Sequence, residues 1–106
     1  MLKNVEMGLL NDYYGGLLTE YQRDVLVKYF DEDLSLAEIA EISGISRQAV
    51  RDVIVRATAK LTEYESKLGL VAKITGLMSE LEQVIVSTDT ETADRLRKIL
   101  NEIKEL

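Results

Sequence analysis

The 106-residue sequence contains no cysteine, no histidine and no proline. Without cysteine there are no disulfides, no thiolate metal ligands and no thiol nucleophile. Without histidine the commonest general base is missing, and a zinc site has lost its usual ligands. No metal or cofactor site is expected, and the chain reads as non-enzymatic. Without proline, turns fall to glycine and short polar clusters. No apolar run approaches the roughly 18 residues of a membrane span, and no charged-then-apolar leader precedes residue 20. A cytoplasmic protein without membrane insertion is expected.

What is present is apolar enough for a core, at 46% hydrophobic residues. The length suits one domain, or one domain with an appendage. Net charge is −6, the wrong sign for coating nucleic acid unspecifically. The charge is unevenly spread. Residues 1–45 carry nine acids and three bases, and residues 61–106 carry nine acids and six bases. Between them, residues 46–60 carry Arg47, Arg51, Arg56 and Lys60 against Asp52 alone, a local +3.

That basic segment belongs to the most structured stretch of the chain, Ser35 to Leu61. Ser35 and Glu38 have the spacing of a capping box opening a short helix that turns Ile39 and Ala40 inwards. Ala40 is small enough for close helix approach, and Gly44 four residues later suits a left-handed corner. Ser46 then caps a second helix with an inward stripe of Val50, Val53, Ile54, Ala57 and Leu61. This is the pattern of a helix-turn-helix whose second helix presents its outer face to a groove or partner.

The remainder also reads as helical. Val5, Leu9, Tyr13 and Leu17 predict a first helix stopping at Gly15–Gly16, with Tyr13, Tyr14 and Tyr21 as an aromatic surface or, more commonly, packing under the next helix. Thr19 and Gln22 form another capping box, opening a helix through Val25, Leu26 and Tyr29 to Phe30. Asp31, Glu32 and Asp33 form an acidic loop without the glycine and final glutamate of a calcium site. The basic helix runs to about Ser66, with Gly69 as the break. Leu70, Ile74, Leu77, Leu81, Val84 and Ile85 trace an amphipathic stripe. Thr88 and Glu91 are spaced as a further capping box before a last helix with Ala93, Leu96, Ile99, Leu100, Ile103 and Leu106. These last two helices predict an antiparallel hairpin that must fold back on the core or pair with another copy.

From Leu18 to Leu61 the strings LTEYQRDVL, LSLAEIAEISGISRQAVR and RATAKL resemble the promoter-reading fourth region of bacterial sigma factors. The whole chain is similar to the YlxM family of small bacterial helix-turn-helix proteins, which combine a YY-containing first helix, the LTEYQ, DLSLAEIAE and SRQAV strings and an acidic helical C-terminus. Members are typically encoded beside the signal recognition particle GTPase. The resemblance therefore implies a regulatory protein of the signal recognition particle pathway, with that GTPase or its RNA as partner. The sigma-like base-reading positions fall on Arg47, Gln48, Arg51 and Asp52. Arginine suits guanine or phosphate, and glutamine suits adenine. Asp52 replaces a neutral amide and would repel phosphate, while Ala49 and Ile54 replace polar residues. These departures weigh against promoter-type reading and leave recognition of a protein by the same surface open.

The expected fold is all-α, with a sigma-region-4-like helix-turn-helix core (winged-helix-like in its use of a recognition helix) over residues 1–67. A C-terminal helical hairpin or extension follows over residues 68–106. The expected nucleic-acid-binding residues are Ser46, Arg47, Gln48, Arg51, Asp52, Arg56 and Lys60, with Ala40 and Gly44 forming the structural turn. Two functions are expected as alternatives: a regulator linked to the signal recognition particle pathway, or a sequence-specific regulator of transcription binding duplex DNA. A homodimer is expected from the C-terminal stripes.

Overall fold

The structure, a computed structural model, describes residues 5–105. They form six α-helices and no strand: α1 (Val5–Tyr14), α2 (Glu20–Leu26), α3 (Leu36–Ser43), α4 (Arg47–Leu68), α5 (Leu70–Ser87) and α6 (Thr90–Lys104). The chain divides after Gly69 into two compact units.

In the first unit α1, α2 and α3 all pack against α4, the longest helix at 22 residues. Val50, Ile54, Ala57 and Leu61 form its buried stripe, facing Leu10, Tyr14, Val25, Leu26 and Ile39 from the other three helices. Full burial of a residue such as Leu26 or Leu61 contributes about 1.5–3 kcal/mol before entropy is counted. Val53, on the edge of the stripe, is half-buried.

Local chemistry sets the helix starts. Thr19 Oγ1 accepts the Gln22 N–H at 3.1 Å, and Gln22 Oε1 accepts the Thr19 N–H at 3.3 Å. Ser35 and Glu38 make the same reciprocal pair, at 3.0 and 3.1 Å. Both capping boxes satisfy N–H groups that a helix start would otherwise leave open.

The buried face of α1 differs from the one its spacing suggests. Val5 and Leu17 are exposed, whereas Leu10, Asn11 and Tyr14 are buried. A strict four-residue repeat overshoots the 3.6-residue turn by about 40° at each step, so Val5, Leu9, Tyr13 and Leu17 spiral across the helix surface. Of the three tyrosines, Tyr14 is interior, Tyr13 half-buried and Tyr21 exposed. The Tyr14 hydroxyl donates to Glu65 on α4 at 2.6 Å, and its ring lies 6.0 Å from that of Tyr64.

The second helix also ends differently. It is α-helical only to Leu26, and Val27–Asp31 widen into a π-helical turn closed by the Glu32 N–H on the Val27 carbonyl at 3.0 Å. Asp33 then takes a left-handed φ of 56°, which a short polar side chain tolerates. Gly8 of α1 faces this turn, where a Cβ would come within 3.2 Å of Asp31 Oδ1. Asp31, Glu32 and Asp33 do not converge. Among the described residues no group of three or more carboxylates is placed to hold a metal ion.

The second unit is the α5–α6 hairpin. Ile85, Ala93 and Leu100 form its core, with Met78, Leu81 and Leu96 packed around them. Leu77, Val84 and Ile99, expected in the inward stripes, are exposed. Leu106 lies outside the described residues. The α6 cap is one residue later than the Thr88–Glu91 spacing suggests. Asp89 Oδ1 accepts the Thr92 N–H at 2.7 Å, and Oδ2 accepts the Thr92 hydroxyl at 3.0 Å. A carboxylate is the stronger acceptor and its charge suits the positive end of the helix. The Thr92 bonds hold the Asp89 carboxyl below its usual value of 3.8. No described helix is long and apolar enough to cross a membrane.

Candidate nucleic-acid interface

The corner between α3 and α4 is built on one carbonyl. Gly44 adopts φ 71° and ψ 26°, which turns its N–H and that of Ile45 onto the Ala40 oxygen at 2.9 and 3.2 Å. Ala40 is itself buried. Ser46 Oγ accepts the Ala49 N–H at 3.0 Å and starts α4. Position 49 is alanine, so no side chain returns the bond and the cap is one-sided. Ser46 is thus engaged in holding the helix that carries the arginines.

Arg47, Gln48, Arg51 and Asp52 are all exposed on the first two turns of α4. Arg47 and Arg51 lie one turn apart, about 6 Å along the axis and about 40° around it. On the adjoining strip the Gln48 amide donates to Asp52 Oδ1 at 3.1 Å. Asp52 therefore occupies one donor of the side chain best suited to adenine. Arg51 also borders a shallow groove with Tyr29, Leu36, Ile54 and Val55. Val55, one turn beyond Arg51, is exposed, an apolar surface residue not singled out from the sequence. Its one signal was an apolar position outside the inward repeat.

The remaining two cations stand elsewhere. Arg56 is five residues beyond Arg51, about 140° around the helix. Lys60 Nζ reaches Gln22 Oε1 on α2 at 3.5 Å, on the flank of α4 that faces α2. The +3 segment consequently divides into two patches on different sides of α4. Arg47 and Arg51 form one strip and Arg56 and Lys60 another about 180° around the helix, with Gln48 and Asp52 on the strip between them.

Two capped helices joined through a left-handed glycine, with an exposed arginine pair on the second, define a helix-turn-helix protein. Residues 1–105 match the family described as "Putative helix-turn-helix protein, YlxM / p13 like". Among similar proteins, a UPF0122 protein of Desulforamulus reducens is 52% identical over 80 residues, covering 76% of this chain and 68% of its own. One from Clostridium kluyveri is 41% identical over 104 residues, covering 98% and 94%. One from Symbiobacterium thermophilum is 45% identical over 98 residues, covering 89% and 92%. The chain belongs to this YlxM/p13-like helix-turn-helix family.

Proposed function

We propose that this chain is a non-catalytic regulator that binds duplex DNA by laying the first two turns of α4 in the major groove. The observation that carries the reading is the exposed Arg47–Arg51 pair on adjacent turns of a helix start held by Ser46 and the Gly44 corner. Arginine at such a place reaches guanine O6 and N7, or phosphate, while exposed backbone N–H groups at the helix start suit a phosphate oxygen. Gln48 reads adenine once its bond to Asp52 opens, so Asp52 sets a threshold for that contact. The net charge of −6 suppresses unspecific binding and leaves affinity to a few placed contacts.

The test is selection from random duplexes followed by fluorescence anisotropy of wild type and Arg51→Ala on the enriched site. Loss of one good bidentate contact costs about 1–3 kcal/mol. If no sequence is enriched at moderate salt, or the variant binds equally well, the DNA reading fails.

The acidic balance favours a second reading, the one implied by family resemblance: contact with the signal recognition particle, whose RNA-binding parts are basic. Co-elution with the purified GTPase, with and without its RNA, separates the possibilities. Protein contact survives both nuclease and the Arg47→Ala/Arg51→Ala change, whereas RNA contact is lost with either. Absence of co-elution at low-micromolar concentration removes this reading.

A further inference from the structure

The α5–α6 hairpin carries more apolar side chains than its own core uses. On α5, Leu70, Leu77 and Val84 recur every seven residues and are 43%, 56% and 49% exposed. On α6, Ile99 is 49% exposed and Leu96 and Ile103 are half-buried. Leu77 and Val84 each stand one residue before a position packed towards α6, Met78 and Ile85. Ile99 likewise stands one residue before Leu100, which is packed towards α5. Because the helices run in opposite directions, stepping back one residue from the contact line turns to the same side on both. The exposed apolar residues therefore share one face of the hairpin.

Charges border this face in a particular order. Lys73 and Glu80 lie along its α5 edge, and Arg95 and Glu102 along its α6 edge. Among the described residues none of these four makes an ion pair within the chain, in contrast to Asp94 and Arg97, which pair at 3.0 Å. Measured from the helix ends at the connection, Glu80 and Arg95 stand about 10 and 7 Å away, and Lys73 and Glu102 about 21 and 18 Å. Of these four, each edge carries one of each sign, and the two edges have opposite signs at matching heights.

We propose that this face is the interface with a second copy of the chain, packed about a two-fold axis parallel to the helices. In that arrangement α5 lies across from α6 of the partner, closing a four-helix bundle. Glu80 then meets Arg95 of the partner subunit, and Lys73 meets Glu102 of the partner subunit. A two-fold axis across the helices would instead set α5 against α5 of the partner subunit, with Glu80 nearest Lys73 of the partner subunit, an arrangement in which reversing Glu80 and Arg95 together restores nothing. The dimensions are sufficient. Helices of 18 and 15 residues, side by side, offer a face of about 25 by 20 Å, or roughly 1,000 Å² over both partners, at the threshold for a specific interface.

Sedimentation equilibrium of the full chain at micromolar concentration tests this, with circular dichroism confirming that each variant is folded. Wild type is expected to be a dimer, and Leu77→Asp, which places a charge at an exposed apolar position, a monomer. Glu80→Lys and Arg95→Glu each turn two symmetry-related attractions into repulsions and should weaken the dimer about 10- to 30-fold. The combined Glu80→Lys/Arg95→Glu variant should recover dimerisation, because the signs are exchanged together. A monomeric wild type, single reversals that leave the dimer unchanged, or a double reversal no stronger than the singles would each overturn the proposal.

Discussion

The Gly44 corner places α4 relative to α3, and its backbone gives a graded prediction. With φ 71° and ψ 26° the residue is left-handed, and a Cβ built there meets nothing within 4 Å. Substitution is therefore opposed by backbone strain alone, without a steric clash. A left-handed conformation costs a residue with a Cβ about 1–2 kcal/mol. Stiffening the unfolded chain returns about 0.4–1 kcal/mol of that. Gly44→Ala should then lose about 1 kcal/mol. Gly44→Asn should lose about 0.5 kcal/mol or less, because asparagine tolerates the left-handed region. Gly44→Val, with its branched Cβ, should lose about 2 kcal/mol. For a cooperative unit of this size each kcal/mol lowers the melting midpoint by about 4–8 °C. Thermal melts followed at 222 nm should therefore rank the variants glycine, asparagine, alanine, valine. Equal losses for all three substitutions would show that contact with a neighbour dominates, and an unchanged valine midpoint would refute the left-handed corner.

Three further outcomes are expected. Asp52→Asn removes a charge that repels phosphate while keeping an acceptor for the Gln48 amide, so it should tighten duplex binding about 3- to 10-fold, read by anisotropy. Weaker binding would place Asp52 in the contact itself. Tyr14→Phe deletes the hydroxyl that donates to Glu65 and should cost about 1–2 kcal/mol in urea denaturation. A loss below a few tenths would mean water replaces that bond at no cost. Asp89 has a folded-state carboxyl below 3.8, so its contribution is fully present above that value and disappears as pH falls through the lower, folded one. Between about pH 5 and 2 wild type should therefore lose more stability than Asp89→Asn, which keeps a neutral cap. Parallel decline of the two would rule out the ionised cap.

Local sequence was sufficient for the helix-turn-helix and its boundaries. Thr19–Gln22, Ser35–Glu38, Gly44 and Ser46 act through bonds spanning five residues or fewer, so their spacing already specifies the geometry. The division of the basic segment was equally legible, since Arg51 and Arg56 are separated around α4 by helical period alone. The Gln48–Asp52 bond also lies within one helix, yet two side chains one turn apart pair only when no other partner competes. Tertiary structure decided the rest. Which side of α1 is buried depended on α4 lying beneath Leu10 and Tyr14, and the Tyr14–Glu65 bond joins residues 51 positions apart. Lys60 is drawn towards α2 by Gln22, 38 residues earlier. The widened turn after Leu26 matches no local breaker and accompanies close packing against Gly8 of α1. Periodicity records that a helix has an apolar side. Which part of that side becomes interior depends on neighbours distant in sequence, because burial is a property of the assembled surfaces.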